Sequence, residues 1–143
     1  MKILLFGATG WIGGKLLQLL DHEIIIAKSR LDDYSSVINE VLSTKPTHVL
    51  NCAGLTGRPN VDWCEDHKEE VLRVNVTGTS VLAEICSRHQ IHFTFLSTGC
   101  IYSYDETHPL GGKGFTEEDY PNFDGSFYSY TKIIIENIVK NLP

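Results

Sequence analysis

A short apolar run at residues 3–6 leads directly into a glycine-rich segment, and this junction constrains the fold more than any other part of the chain. The segment is Gly7-Ala8-Thr9-Gly10-Trp11-Ile12-Gly13, and a helix-like run continues from it to residue 20. Glycines allow a sharp turn and a close approach of the backbone to a pyrophosphate, which then faces the unpaired amides of a helix N-terminus. This order of strand, turn and helix predicts a dinucleotide site formed by Gly7, Thr9, Gly10, Trp11, Ile12 and Gly13. The alternative is an ordinary strand-to-helix turn, because the glycines are spaced three apart rather than as G-x-G-x-x-G.

Short apolar runs alternate with amphipathic stretches along the rest of the chain, which is the pattern of βαβ units. Strands are predicted at residues 2–6, 23–28, 48–51 and 92–96, and helices at residues 11–20, 37–43, 69–89 and 128–141. A long segment rich in Gly, Pro and Asp, residues 102–126, precedes the last helix. Parallel strands joined by right-handed crossovers predict an α/β fold: a doubly wound, Rossmann-like parallel sheet in three α/β/α layers. Its ligand crevice is expected at the carboxyl ends of the strands.

Composition disfavours several classes of protein. The 143 residues are 42% hydrophobic, enough for one domain with a core. No apolar run approaches the roughly 20 residues of a membrane-spanning helix. With 12 basic and 18 acidic side chains the net charge is -6, and no basic cluster indicates a nucleic-acid partner. The four cysteines form no C-x-x-C pair and the six histidines show no metal spacing, so we expect a reduced, cytoplasmic protein without disulfides or a metal site.

The segment Tyr128-Ser129-Tyr130-Thr131-Lys132 carries residue types that could protonate a ketone while a hydride reduces it. A free tyrosine has a pKa of about 10, so a neighbouring ammonium that lowers this pKa would help proton exchange near neutrality. Residues at i and i+4 share one face of a helix, which brings Tyr128 and Lys132 together. With Thr98 holding the carbonyl oxygen, we predict a catalytic set of Thr98, Tyr128 and Lys132. The alternative for Tyr128 is an aromatic residue that caps the core, and Tyr130 is expected only to pack.

The end of the second predicted strand indicates which dinucleotide binds. A carboxylate there would bind the ribose hydroxyls of NAD, whereas an arginine accommodates the 2′-phosphate of NADP. The chain has Ala27-Lys28-Ser29-Arg30, two cations and a serine before any acid. This favours NADP (NADPH), with contacts from Ser29 and Arg30. Asp32 and Asp33 are the counter-argument, but either could instead cap the next helix.

Together these motifs resemble the extended short-chain dehydrogenase/reductase family, whose glycine signature has the same three-apart spacing, and the resemblance covers nearly the whole chain. Asn51-Cys52-Ala53-Gly54 is similar to the family's strand-end segment beside the adenine and ribose, and Asn75-Val76-Thr77-Gly78-Thr79 to its fourth-helix segment. Ser97-Thr98-Gly99-Cys100-Ile101-Tyr102 is similar to the strand-end hydroxyl segment. The resemblance implies cofactor contacts from Asn51, Ala53, Gly54, Asn75, Tyr128 and Lys132.

A finer resemblance is to the nucleotide-sugar epimerase-reductases of plant-type rhamnose synthesis. It rests on residues 57–65 (GRPNVDWCE), 98–101 (TGCI), 108–111 (HPLG) and 121–123 (PNF). Such enzymes invert the two carbons that flank the ketone of UDP-4-keto-6-deoxyglucose and then reduce the ketone with NADPH, giving UDP-rhamnose.

This resemblance implies that Cys100 is an acid/base in the epimerisation. If the chain stays extended after the fourth strand, alternation puts Cys100 on the same side as Thr98. The alternative for Cys100 is a small buried hydrophobe, which is the expected role of Cys52, Cys64 and Cys86.

Members of the family are considerably longer, and their carboxyl-terminal half supplies most of the nucleotide-sugar pocket. Residues 1–143 are therefore expected to be the NADP-binding domain, the amino-terminal half of a longer enzyme, and to be inactive alone. The expected partner is a nucleotide sugar, and a homodimer is left open. Two alternatives remain: a 4-ketoreductase of the dTDP-4-dehydrorhamnose reductase type, which does not epimerise, and a non-catalytic NADP-binding regulatory protein of the same fold.

Overall fold

A four-stranded parallel sheet forms the centre of the computed structural model, which describes residues 1–142; Pro143, the last residue of the predicted domain, lies outside the described residues. The strands are β1 (Lys2–Phe6), β2 (Glu23–Ile26), β3 (His48–Asn51) and β4 (His92–Phe95), in the order β2-β1-β3-β4. β1 pairs with β2 on one side and with β3 on the other, so the strand order reverses between β1 and β3. The predicted doubly wound fold is confirmed, and such folds bind ligands at this reversal.

Helical segments connect the strands and follow the last one. They are α1 (Trp11–Leu19), α2 (Tyr34–Thr44), α3 (Trp63–Asp66), α4 (Lys68–Val71), a π-helical segment (Leu72–Gly78), α5 (Thr79–Arg88), a 3₁₀ turn (Gly99–Ile101) and α6 (Phe127–Lys140). The helix predicted at residues 69–89 is present but contains the π-helical segment, and α3 was not predicted. β2 ends two residues before its predicted end, where the backbone amides of Lys28 and Ser29 donate to the carboxylate of Glu40.

The main hydrophobic core lies between one face of the sheet and the helices α2 and α5. Alternation along β1 directs Leu4 and Phe6 to this face, where they pack with Val37 and Val41 of α2 and Leu82 of α5. Full burial of such a side chain contributes about 1.5 to 3 kcal/mol. This packing fixes α2 and α5 against the sheet, and with them the loops at its carboxyl edge.

A second hydrophobic cluster brings α3, α4 and α6 together. Cys64, Val71 and Tyr128 are buried in it, and the partly buried side chains around them are Leu55, Val61, Trp63 and Phe127. The carboxylate of Glu65 in α3 also accepts a hydrogen bond of 2.6 Å from the backbone amide of Phe127. The N-terminus of α6, where Tyr128 lies, is thereby tied to the chain that follows β3.

The segment at residues 102–126 contains no helix or strand but is held by ring stacking and polar contacts. The ring of Phe115 stacks between Tyr102 and His108, with centroid separations of 4.6 Å and 4.1 Å. The carbonyl oxygen of Ile101 accepts hydrogen bonds from the backbone amides of Asn122 and Phe123. The far end of the segment is therefore attached to the 3₁₀ turn.

Residues 1–142 contain neither a membrane-spanning helix nor a group of side chains that could bind a metal. None of their helices is both long enough and apolar enough to cross a membrane. They contain no group of three or more His, Cys, Asp or Glu side chains placed to hold a metal ion.

Candidate active site

The glycine turn places the start of α1 against a cleft of about 450 Å³ at the carboxyl ends of β1, β2 and β3. Gly7 has a φ of 76°, and a Cβ at this position would lie 2.5 Å from the backbone nitrogen of Ala53. A Cβ on Gly13 would lie 2.2 Å from the carbonyl oxygen of Gly7. No side chain caps α1 at Gly10, so the first amides of this helix are available to an anion. The turn and the uncapped helix fit the pyrophosphate of a dinucleotide.

The predicted cofactor residues of the turn divide between two adjoining cavities. Thr9, Ala53 and Gly54 line the cleft, whereas Trp11 and Ile12 line a neighbouring groove of about 760 Å³. Gly10 and Gly54 line both cavities, so a single extended ligand could run from one to the other.

The hydroxyl of Ser29 is not directed to a ligand. It donates to the carboxylate of Glu40 in α2, which also accepts hydrogen bonds of 2.8 Å and 2.9 Å from the amides of Lys28 and Ser29. Burial favours a raised pKa for Glu40, but these hydrogen bonds outweigh it and lower the pKa below its ordinary value. The side chain of Ser29 therefore orients the strand end in this structure, and the residue also lines the cleft, so its contact with the cofactor stays a prediction.

Arg30 lies at the rim of the cleft with 72% of its side chain exposed. Its Nε is 3.1 Å from the carboxylate of Asp32. Asp33 caps α2, since its carboxylate accepts from the backbone amide of Ser36 at 3.1 Å. The predicted capping role is therefore confirmed for Asp33. Asp32 instead forms an exposed ion pair with Arg30, a contact of low strength that a phosphate could replace.

Asn51 lies beneath the cleft rather than in it. The side chain is 1% exposed, its Oδ1 accepts from the amide of Ala53 at 3.0 Å, and its Nδ2 donates to Thr79 at 3.3 Å. Both polar atoms are used inside the protein. In this structure Asn51 shapes the turn after β3, and its contact with the cofactor stays a prediction.

Asn75, in the π-helical segment, holds the next part of the same loop. Its amide group accepts from the backbone nitrogen of Leu55 at 2.7 Å and donates to the carbonyl oxygen of Leu55 at 2.8 Å. A Cβ on Gly54 would lie 3.3 Å from the Oδ1 of Asn75 and 3.8 Å from the Nζ of Lys132. Because glycine has no side chain, a polar gap remains beside Gly54, between Asn75 and Lys132, and a ribose could enter it.

The structure brings Thr98, Tyr128 and Lys132 together. Tyr128 is buried, and the side chain of Thr98 lies close enough to its hydroxyl to lower its pKa. The Nζ of Lys132 lies 5.8 Å from the centroid of the Tyr128 ring, as the i and i+4 spacing on α6 predicts. A hydroxyl pair beside a buried ammonium can bind and protonate an oxygen that gains negative charge.

The protonation of Tyr128 differs from the sequence-based expectation. Burial raises the pKa of Tyr128, the hydrogen bond from Thr98 lowers it, and the nearby thiols of Cys100 and Cys64 raise it, with a net increase above 10. Lys132 is not among the groups that shift this pKa, and its Nζ donates to the carbonyl oxygen of Leu96 at 3.1 Å. The expectation that Lys132 acidifies Tyr128 is therefore corrected for this structure.

Lys132 is a buried lysine with a lowered pKa. Its side chain is 6% exposed, its Nζ lies 4.8 Å from the centroid of the Phe95 ring, and burial lowers its pKa from 10.5 to about 8. A buried cation with so few partners is placed for binding or proton transfer rather than for stability.

Cys100 is exposed, whereas Cys64 and Cys86 are buried and Cys52 is half-buried. The alternative of a small buried hydrophobe is therefore wrong for Cys100. The premise of an extended chain is also wrong, because Cys100 lies in the 3₁₀ turn that follows Thr98. The Oγ1 of Thr98 accepts from the amide of Cys100 at 3.2 Å, so the turn keeps the two residues adjacent. The thiol also lies close enough to Tyr128 to affect its pKa.

Sequence reasoning missed four polar residues that hold this arrangement. The hydroxyl of Ser97 donates to Glu136 at 2.6 Å, and the hydroxyl of Ser129 donates to the carbonyl oxygen of Cys100 at 2.7 Å. Glu65 caps α6 and Glu40 caps the end of β2. The i, i+3 and i+7 spacing of Ser129, Lys132 and Glu136 along one stripe of α6 was the available signal.

Comparison with known proteins was made by sequence and by structure. A family model described as the RmlD substrate binding domain matches residues 1–142. The chain is similar to the bifunctional dTDP-4-dehydrorhamnose 3,5-epimerase/dTDP-4-dehydrorhamnose reductase of Arabidopsis thaliana, with 52% identity over 98% of this chain and 48% of that protein. It is also similar to a trifunctional UDP-glucose 4,6-dehydratase/UDP-4-keto-6-deoxy-D-glucose 3,5-epimerase/UDP-4-keto-L-rhamnose-reductase of the same plant, with 53% identity over 98% of this chain and 22% of that protein.

Solved structures of related enzymes also resemble this chain. The L780 UDP-rhamnose synthase of Acanthamoeba polyphaga mimivirus is 38% identical and superposes with a TM-score of 0.85 over 96% of this chain and 51% of that chain. A dTDP-4-dehydrorhamnose reductase of Bacillus anthracis, solved in complex with NADP, is 23% identical with a TM-score of 0.85 over 99% of this chain and 50% of that chain, which shows the shared fold. The chain thus spans about half the length of these solved relatives.

Proposed function

The chain belongs to the family of the RmlD substrate binding domain, and we propose that it is the NADP-binding, catalytic part of a nucleotide-sugar epimerase-reductase. The proposed reaction converts UDP-4-keto-6-deoxyglucose to UDP-rhamnose, by 3,5-epimerisation followed by reduction of the 4-ketone. The observation that carries the proposal is the cluster of Thr98, Tyr128 and Lys132 with an exposed Cys100 beside it.

The cofactor proposed is NADPH, which supplies a hydride to the ketone when bound. The uncapped start of α1 would hold its pyrophosphate, and the side chains of Lys28 and Arg30 would hold its 2′-phosphate. The polar gap beside Gly54 would accept a ribose, with the Nζ of Lys132 as a donor. Two of these groups already have a partner in the protein: Arg30 pairs with Asp32 at the surface, and the Nζ of Lys132 donates one hydrogen bond to the carbonyl oxygen of Leu96 and has two further N–H donors.

Thr98 and Tyr128 have the direct roles in reduction. Both hydroxyls are placed to reach one carbonyl oxygen, because Thr98 lies close enough to Tyr128 to influence its pKa. Tyr128 donates a proton to this oxygen as negative charge develops on it, and Thr98 holds the oxygen in place. The raised pKa of Tyr128 keeps its proton in place at neutral pH, as a general acid requires.

Cys100 is proposed to transfer a proton at C3 or C5 of the sugar. The ketone at C4 acidifies the hydrogens on both neighbouring carbons, so inversion at either needs only a group that removes a proton and one that returns it. The exposed thiol next to Thr98 satisfies the first geometric requirement. The family relatives are about twice as long as this chain, and we propose that the second proton-transfer group and the sugar pocket belong to a longer enzyme containing residues 1–143.

The alternative within the family is a 4-ketoreductase that does not epimerise. The experiment that separates the two is incubation of the enzyme containing this chain with UDP-4-keto-6-deoxyglucose and NADPH in heavy water. We expect a UDP-rhamnose product with deuterium at C3 and C5. A reduced product without deuterium at these carbons would refute the epimerase and leave the reductase.

A matched pair of variants then tests the proposed role of Cys100. Cys100→Ala should abolish most deuterium uptake but still reduce an already epimerised ketosugar, because Thr98, Tyr128 and Lys132 are unchanged. Cys86→Ala, which removes a thiol buried in the main hydrophobic core, should leave the ratio of the two activities unchanged. Wild-type exchange by the Cys100→Ala enzyme would show that this thiol is not an acid/base.

A further inference from the structure

Ser129 has no role in the proposed chemistry, yet its hydroxyl is fully enclosed beside the reactive residues. The residue is 1% exposed, and its Oγ donates to the carbonyl oxygen of Cys100 at 2.7 Å. The Oγ of Ser126 lies 2.9 Å from the same hydroxyl and accepts from the amide of Ser129 at 3.0 Å. The hydroxyl is thus fixed by the N-terminal cap of α6 on one side and bound to the 3₁₀ turn on the other.

Cys100 therefore has both of its backbone polar groups held by side chains. Its amide donates to the Oγ1 of Thr98 and its carbonyl oxygen accepts from Ser129. Thr98 in turn lies close enough to the hydroxyl of Tyr128, the chain neighbour of Ser129, to lower its pKa. The 3₁₀ turn is thus held between Thr98 on one side and Ser129 of α6 on the other. The thiol of Cys100 is the part left exposed.

We propose that Ser129 is a positioning residue that directs the thiol of Cys100, an inference that rests on the proposed epimerase function. The direction of a side chain follows from its backbone, and a carbonyl group that lost its donor could rotate the 3₁₀ turn. Such a rotation should move Thr98 less than Cys100, because Thr98 lies before the turn. Loss of the Ser129 hydroxyl should therefore impair proton transfer by Cys100 more than reduction by Tyr128.

The test compares Ser129→Ala with Thr131→Val in the enzyme containing this chain. Thr131 is a matched control, since its hydroxyl is also buried in α6 but bonds within the helix to the carbonyl oxygen of Tyr128. We expect deuterium uptake in Ser129→Ala to fall about tenfold or more, as a small misplacement of a reacting group can cause. Reduction of an already epimerised ketosugar and the NADPH dissociation constant should stay within about twofold, with both activities of Thr131→Val unchanged. Equal loss of both activities in Ser129→Ala, or no loss of exchange, would overturn the inference.

A chemical readout separates this inference from the epimerase proposal. The rate at which iodoacetamide alkylates Cys100, measured by peptide mass spectrometry, should change at least about threefold in Ser129→Ala and not in Thr131→Val. An unchanged alkylation rate would overturn the role of Ser129 even if the enzyme epimerises. Absence of deuterium exchange in the unmodified enzyme would instead overturn the epimerase, and alkylation alone would then decide whether Ser129 positions the thiol. If Ser129→Ala does not fold, Ser129→Cys, which keeps only a weak donor of similar size, should lose deuterium uptake by a smaller factor while reduction is unchanged, and no loss of uptake would overturn the inference.

Discussion

Replacing Lys132 by methionine should stabilise the fold at neutral pH while removing the cation that the proposed function needs. The two side chains are similar in length and apolar stem, so the change removes mainly the charge. Lys132 is 6% exposed, and its Nζ lies beside the rings of Phe95 and Tyr128 and donates to one carbonyl oxygen, with no carboxylate paired to it among residues 1–142. A buried ammonium with so little compensation lowers the stability of the folded chain.

The magnitude follows from the pKa of Lys132, which burial lowers from 10.5 to about 8; this corresponds to about 3 kcal/mol of unfavourable free energy for the charged form. Below pH 8 the lysine is protonated in both the folded and the unfolded chain, and the folded chain bears the full cost. Between pH 8 and 10.5 the folded chain loses the proton first, so its free energy of unfolding rises with pH. Methionine removes the cost but leaves the Leu96 carbonyl without its donor, a loss of about 1 kcal/mol. Lys132→Met should therefore be about 2 kcal/mol more stable at pH 7.

Urea unfolding of both proteins at pH 7, 8, 9 and 10 measures this difference directly. It should shrink as the pH approaches 10.5, because the unmodified lysine is then neutral in the folded chain. Lys15→Met, at an exposed position of α1, is the control and should change the free energy of unfolding by no more than about 0.5 kcal/mol. A Lys132→Met protein that is less stable at pH 7, or a difference that does not depend on pH, would refute the reasoning.

Three further predictions concern the glycine turn, the cofactor and the proton donor. Gly13→Ala should destabilise the fold by about 1 to 3 kcal/mol in thermal unfolding, because its Cβ would lie 2.2 Å from the carbonyl oxygen of Gly7. Gly14→Ala is the control: its Cβ would have its nearest contact at 3.6 Å, so this change should be neutral or stabilising by up to about 1 kcal/mol. Arg30→Ala should weaken NADPH binding roughly tenfold to hundredfold and leave NADH binding unchanged in titration calorimetry; equal dissociation constants for the two cofactors in the unmodified protein would contradict the NADP assignment. Tyr128→Phe in the longer enzyme should bind NADPH normally but reduce the ketone roughly a hundredfold to ten-thousandfold more slowly, and a change within about twofold in steady-state turnover would exclude the proton-donor role.

Local sequence patterns were enough to predict the sheet, the glycine turn and the meeting of Tyr128 with Lys132. Strand alternation and the i, i+4 spacing of a helix act over a few residues, so they can be read from neighbours along the chain. The same is true of the cap of α2 by Asp33, which bonds to a residue three positions later.

The contacts that the sequence did not predict depend on partners that are distant in sequence. The hydroxyl of Ser29 donates to Glu40, and the side-chain amide of Asn51 donates to Thr79, 28 residues away. The Nζ of Lys132 donates to the carbonyl oxygen of Leu96, which lies 36 residues earlier and 3.1 Å away. Propensity gives no information about which buried polar group satisfies another, and hydrogen-bond partners of this kind become visible only in the folded chain.

The π-helical segment at residues 72–78 sets the direction in which the two halves of the long helical stretch face. As a continuous α-helix, residues 71–82 would place Val71 and Leu82 nearly in line, since eleven residues at about 100° each complete close to three full turns. In the folded protein they pack in different clusters, Val71 against Tyr128 and Leu82 against the sheet. The extra residue in the widened turn accounts for this difference, because it offsets the two halves by about 100°. Removing one residue within 72–78 and restoring the α-helical turn would therefore keep both clusters in place, whereas removing one residue from α5 before Leu82 would rotate Leu82 away from the sheet.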